Sequence, residues 1–401
     1  NLPVIGTSKA GGLLGYYNSG YAPNNANVTN YLGTQLTASG TVSGTSYVGG
    51  LIGQYSLYVV GGLTSELTNL SDSSATGAVT GSSNYVGGLM GSANGWVFDN
   101  LWASGSVTQT ATSNAGGLIG AMGTYSNAWT GGSYGGKLIN SYATGNVSGG
   151  SSGSTGGLVG NSSGNSIASS YATGTVTGAG NYVGGLVGIS TTPITSAYAT
   201  GVVTGSTHYI GGLVGQSGAA IATSYASGAV NGTGSNAERV GGLVGYSAST
   251  VTTSYATGNV LVTGANSNYT GGLVGYSTST VTDSYATGTV SGTGGASSRL
   301  GGLVGYASSG NVVNSYASGV VSGSGASSYY IGGLVGSLDS ATVSDSSYIT
   351  GSVSGASYVG GLVGVTNSSA VIKGSFTARP VTGTLDYVGG LVGKLAGTIQ
   401  A

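Results

Sequence analysis

The apolar positions of this chain come in short runs punctuated by small and hydroxyl-bearing residues. Typical stretches are Tyr-Val-Gly-Gly-Leu-Val-Gly from Tyr182 and Ser-Tyr-Ala-Thr-Gly-Thr-Val-Thr-Gly from Ser170. No 3.6-residue apolar period runs far enough for a helix, whereas runs rich in Val, Thr and Tyr bounded by Gly or Ser predict short strands. The strands recur. The pattern Gly-Gly-Leu-(Val/Ile/Leu/Met)-Gly occurs 13 times, with its leucine at Leu13, Leu51, Leu89, Leu118, Leu158, Leu186, Leu213, Leu243, Leu273, Leu303, Leu334, Leu362 and Leu391. From Leu158 onward the steps are 28, 27, 30, 30, 30, 31, 28 and 29 residues. Ser-Tyr-Ala-Thr-Gly-x-Val-Thr/Ser-Gly lies between copies, clearest around Tyr142, Tyr171, Tyr255 and Tyr285.

A unit of about 29 residues with two or three short strands predicts one coil of a parallel β-solenoid (β-helix), because a single coil cannot bury its apolar face until a like coil stacks on it. The expected fold is all-β, with about 12–13 coils of about 27–31 residues, right-handed by the general crossover preference. Residues 1–401 read as one solenoid domain, with irregular N-terminal coils carrying aromatic insertions over 1–142 and regular coils over 143–401. Glycine pairs such as Gly184-Gly185 and Gly271-Gly272 are expected at corners, some at positive φ, where they also let coils approach closely. Tyr142, Tyr171, Tyr198, Tyr225, Tyr255, Tyr285, Tyr316 and Tyr348 fill one slot in eight successive units, with Trp102 before and Phe376 after. Stacked rings one coil apart stabilise a solenoid by themselves, and a ladder that contacts ligand is the alternative.

The repeated Gly-Gly-Leu-Val-Gly followed by Ser-Tyr-Ala-Thr-Gly resembles the GLUG motif repeats of bacterial secreted and surface proteins, including adhesin-like chains. The resemblance extends over Lys9 to Gly393. It implies a secreted or cell-surface location and an adhesion or scaffold role, and it carries no catalytic residue to transfer. Departures are Thr37 and Ser74 in the Tyr slot, and Arg379-Pro380 in the usual Thr-Gly region.

Distances from each Leu to its Tyr slot locate three insertions, Leu13 to Thr37, Leu51 to Ser74 and Leu118 to Tyr142, all at the same corner. They carry Tyr16, Tyr17, Tyr21, Tyr55, Tyr58, Tyr125, Trp129 and Tyr134, and the intervening unit adds Trp96 and Phe98. Aromatic insertions on one side of a repeat fold are candidate ligand-binding loops for surface glycans; packing on each other or capping the core is the other reading.

Composition narrows the chemistry. The chain holds 84 glycines, seven Lys or Arg, eight Asp or Glu, four Pro, one His and no Cys, with a net charge of -1. Seven scattered cations make no footprint for nucleic acid or an anionic membrane, and every apolar run is too short for a membrane-inserting helix. One His and no Cys leave no material for a nucleophilic triad or a thiolate metal site. No catalytic residue, metal ligand or cofactor is assigned, and the chain reads as non-enzymatic. Asp99, Asp283 and Asp345 share a phase with Asn140, Thr253 and Asn314, which predicts a turn-capping polar slot. Thr173, Thr175 and Thr177 should point outward together as on an ice-binding surface, but the middle file, which runs Asn146, Thr175, Val202 and Ala229, breaks any regular lattice. The start at Asn1 without Met suggests a processed or excised chain. Without recognisable caps, residues 1–10 and 394–401 are expected to complete a neighbour's coil head to tail. The two functional readings are thus an extracellular filament or adhesin subunit that associates with itself, and a glycan-binding stalk.

Overall fold

The computed structural model describes residues 2–20, 32–58, 68–95, 97–126 and 133–400. The chain divides into two compact units, one of residues 1–180 with 186–198 and one of residues 181–185 with 199–401. Among the described residues all regular structure is β-strand, and the parallel strands stack as a β-solenoid.

The second unit shows the regular coil. Its strands Glu238–Gly241, Val244–Ser247, Val251–Thr252, Tyr255–Ala256 and Val260–Val262 make one turn. The coil therefore has five strands where the sequence pattern suggested two or three. Each pairs in parallel with its counterpart one coil on: Gly241 on Gly271, Val244 on Val274, Val251 on Val281, Tyr255 on Tyr285, Val260 on Val290. The inward residues Leu243, Val244, Val251, Ala256 and Val260 are buried, as are their equivalents as far as Val353, Leu362, Val363 and Ile372. Like residues stack on like, so the core is continuous along the unit.

The first unit has five ladders of the same kind with less regular coils. Strand Val79–Gly81 pairs with Val42–Ser46 on one side and Val107–Gln109 on the other, and Val48, Val86 and Ala115 pack against that ladder. The first two insertions lengthen a ladder. Leu14–Gly20 and Ile52–Tyr58 run seven residues each and pair from Leu14 on Ile52 through Gly20 on Tyr58. The third contains an antiparallel hairpin, Thr124–Ser126 against Ser133–Gly135.

The glycine pairs do stand where the chain bends from one strand to the next, but without left-handed backbone. Among the described residues the positive-φ glycines are Gly33, Gly153 and Gly374, so Gly184-Gly185 and Gly271-Gly272 are not left-handed. Their glycines answer to space: a Cβ on Gly271 would run into the Val274 carbonyl oxygen, and one on Gly272 into the Gly302 carbonyl of the next coil. The left-handed backbone falls on two other files. One is the polar slot, with Asn140 (φ 50), Thr253 (φ 48), Asp283 (φ 50), Asn314 (φ 47) and Asp345 (φ 49). Asn and Asp adopt this conformation most readily among non-glycine residues, so the slot bears out the expected polar turn. Asp99 is the exception: Asn100 (φ 50) holds the corner and Asp99 ends the preceding strand. Side-chain amides bridge coils there, Asn140 to Asp99 at 2.9 Å and Asn314 to Asp283 at 2.5 Å.

A buried serine beside the Tyr slot locks the register. The backbone N–H of Ser224 donates to Ser254 Oγ, Ser254 to Ser284, Ser284 to Ser315 and Ser315 to Ser346, each at 3.1 Å. Each Oγ in turn donates to the carbonyl two residues back, as Ser254 does to Thr252 and Ser346 to Ser344 at 2.7 Å. A buried N–H left without such a partner would cost ~1–3 kcal/mol, so the file is selective for hydroxyls.

Candidate functional site

The Tyr slot is a stacked file. In the first unit Trp102, Tyr142, Tyr171 and Tyr198 follow at 6.0, 4.9 and 4.7 Å with ring planes within 5°. In the second, Tyr225, Tyr255, Tyr285 and Tyr316 follow at 4.9, 4.8 and 4.9 Å. The file ends at Tyr316. The serine register pairs Tyr316 with Ser347 and Ala317 with Tyr348, which turns Tyr348 inward and leaves it fully buried. Its hydroxyl lies 2.8 Å from the Gly319 carbonyl and 3.0 Å from that of Ser352. Phe376 pairs with Ser347 and is 62 % exposed.

Burial, then the neighbouring rings, raises the phenol pKa of Tyr171, Tyr225 and Tyr285. Burial likewise raises Tyr348, and it raises Tyr306 together with a hydrogen bond to Asp339. A folded-state pKa raised above the unfolded value favours folding below the unfolded tyrosine pKa near ~10 and loses that contribution as pH rises through the folded values. The melting temperature is therefore expected to show no tyrosine-linked fall between pH ~7 and ~9 and to drop above pH ~10. Thermal melts across that range check it, and a flat profile to pH ~12 would refute it.

A second aromatic file had no counterpart in the sequence reading. The other left-handed residue of each coil, four before the repeat leucine, is Tyr209 (φ 54), Arg239 (φ 53), Tyr269 (φ 62), Arg299 (φ 55), Tyr330 (φ 63), Tyr358 (φ 54) or Tyr387 (φ 63) in the second unit. Beside it runs the file three after the leucine, in which Tyr246, Tyr276 and Tyr306 pair in register. The two interleave. Arg239 lies over Tyr209, Tyr269 and Tyr276 at 4.9, 5.5 and 5.5 Å, and Arg299 over Tyr269, Tyr306 and Tyr330 at 5.1, 5.7 and 5.2 Å. These seven side chains are half-buried. Arg239 also donates to Glu238 at 3.2 Å, and His208 Nδ1 lies 3.6 Å from the same carboxylate. Tyr306 donates to Asp339 at 2.9 Å. Counting the residue at minus four from each leucine reveals the Tyr/Arg alternation; counting the carboxylates and the Tyr slot alone does not.

The aromatic residues assigned to the insertions are placed differently from expectation. Tyr55 is fully buried, stacked on Tyr17 at 5.3 Å and edge-on to Phe98 at 5.5 Å, because the lengthened strand turns it inward. It is a core residue and not a ligand contact. Tyr17 is half-buried against it, while Tyr16 is 44 % exposed beneath Lys9, 3.7 Å from the ring centre. Tyr58, Tyr125 and Tyr134 lie on strands, the last two paired across the hairpin. Tyr21, Trp96 and Trp129 lie outside the described residues. Thr173, Thr175 and Thr177 are all exposed, as the alternation required, and so is Val202, at the equivalent of Thr175 in the repeat sequence.

Fold and site together define a repeat-built, all-β solenoid of the kind suited to a structural or surface protein. Residues 236–261, 266–291 and 296–322 match the GLUG motif. Those three repeats carry Arg239, Tyr269 and Arg299. No curated protein and no solved structure matches the chain.

Proposed function

We propose that this chain is a non-enzymatic structural protein of the cell exterior, secreted or held at the surface, whose work is adhesion or filament assembly. The observation that supports it is the like-on-like register of the regular coils: Gly241 on Gly271, Val260 on Val290, and Tyr on Tyr and Ala on Ala from Tyr225 to Ala317. A coil of this kind is a template for another of its kind, so a second copy of the chain can extend the same ladders at a strand edge. This reading rests on the register and not on where the chain begins or stops. With so few charges, such association should depend little on salt.

Negative-stain imaging of the purified protein over a concentration series tests it. The expected result is fibres one coil in cross-section that lengthen with concentration and persist in high salt. Particles that stay monomeric throughout would remove the filament reading and leave the stalk. Protease shaving of intact cells tests the location: a chain protected until lysis would not be at the surface.

A further inference from the structure

We propose that the Tyr/Arg face of the second unit binds an extended, uncharged polysaccharide lying along the coils. Backbone strain is the first ground. Tyr209, Arg239, Tyr269, Arg299 and Tyr330 sit in left-handed backbone, which disfavours a bulky side chain and which glycine or asparagine adopts far more readily. The same coils place Asn314 and Asp283 at their other left-handed corner, so residues suited to that backbone are in use one corner away. Large rings and guanidinium groups held against this cost point to a job done by the side chains.

Chemistry is the second ground. Half-exposed tyrosine rings offer flat apolar faces to the C–H faces of sugar rings, and guanidinium and carboxylate groups form paired hydrogen bonds to vicinal hydroxyls. Arg299 provides the clearest case. Among the described residues no carboxylate lies within ion-pair distance of it, its Nε is buried without a hydrogen-bond partner, and ring faces hold it in place. It lines a depression of about 250 Å³ together with Tyr306, Tyr330, Asp339, Thr366 and Asn367. That volume is below the range of drug-sized pockets and on the scale of a single sugar ring.

Spacing and charge specify the ligand. Arg239 and Arg299 are two coils apart, ~9.6 Å at the strand spacing, with Tyr269 between them. An extended polysaccharide presents the same edge at every second sugar, so one chain along the face can meet both arginines and lie across the solvent-facing edge of the ring between, whose faces the arginines cover. Glu238 beside Arg239 and Asp339 beside Tyr306 offset the two positive charges, which leaves no cationic stripe to hold a polyanion. The proposal stands on this face alone and applies equally to a fibre or a stalk.

The test is calorimetric titration of the purified chain with cellohexaose, chitohexaose and heparin, backed by a printed panel of neutral and acidic glycans. A neutral glycan is expected to bind and heparin not to. Arg299→Asn and Tyr269→Asn, both suited to left-handed backbone, should each weaken binding at least tenfold while the melting temperature is retained. Tyr306→Phe, which keeps the ring and removes only the hydroxyl that engages Asp339, should weaken it less. Tyr255→Ser, in the other aromatic file, should leave binding unchanged. Four results would each overturn the proposal: no binding to any neutral glycan, binding to heparin alone, neutral-glycan affinity unchanged in both asparagine variants, or a dimer that Arg299→Asn disperses, which would make the face a self-interface.

Discussion

Gly272→Ala is expected to destabilise the second unit by ~3 kcal/mol or more, at the upper end of what an inserted methyl group costs in a packed interior. The added Cβ would collide with the Gly302 carbonyl oxygen and stand 3.0 Å from the Ala286 Cβ. Neither neighbour can give way freely, because Gly302 donates its own N–H to Gly332 and Ala286 is paired in the Tyr-slot ladder. Gly242 stands against Gly272 as Gly272 stands against Gly302, so relief at one coil transfers the clash to the next. The measurement is the urea midpoint at unchanged slope. Gly295→Ala is the control: its Cβ would meet only the Ala265 carbonyl oxygen, at 3.9 Å, and a change within ~0.5 kcal/mol is expected. Equal losses in the two variants would mean that glycine acts here through chain entropy and not through close approach.

Tyr348→Ala should be the costliest change among the repeat tyrosines, ~3–5 kcal/mol, because it empties a fully buried ring site. Alanine is the ordinary residue of that column, as at Ala317, but the surrounding backbone is fitted to the ring. A Cβ on Gly333 or Gly351 would strike the Tyr348 ring or hydroxyl. Tyr348→Phe keeps the ring and loses a hydroxyl shared between the Gly319 and Ser352 carbonyls, for which ~1–2 kcal/mol is expected. The same substitution at Tyr285, in the half-exposed stack, should cost less than at Tyr348. If Tyr348→Ala cost under ~1 kcal/mol, the ring would not be the core element described here.

The repeat could be read without coordinates because a solenoid makes spacing and contact nearly the same thing. Residues about thirty apart are neighbours, so identical letters at that interval, Tyr255 and Tyr285 or Val244 and Val274, forecast the ladders residue by residue. The polar slot was legible for the same reason at Asp283 and Asp345. It was misread at Asp99, because the shared phase was counted from the leucine while the structure keeps register with the Tyr slot, two residues before Trp102. Tyr348 failed in the same way. One extra residue after Ser346 left its spacing within the range of the other units, but the serine hydrogen bond chose which residue faced out. The insertions were found by length, yet length does not say whether added residues form a loop or prolong a strand; pairing between Leu14–Gly20 and Ile52–Tyr58 decided for the strand and took Tyr55 into the core.

What the sequence determined by itself is the coil: its all-β character, its near-constant length, its inward Leu and Val files and the ladder of rings, all of which follow from local residue type and a single period. Only the tertiary structure decided which residues bear the left-handed backbone and why the paired glycines are glycine. Those outcomes depend on where the backbone of the next coil runs, a through-space condition set by carbonyls such as Gly302's that no letter in the sequence displays. The Tyr/Arg face follows from the same condition. The left-handed backbone at Tyr269 and its equivalents brings the side chain there beside Tyr276 and Tyr306.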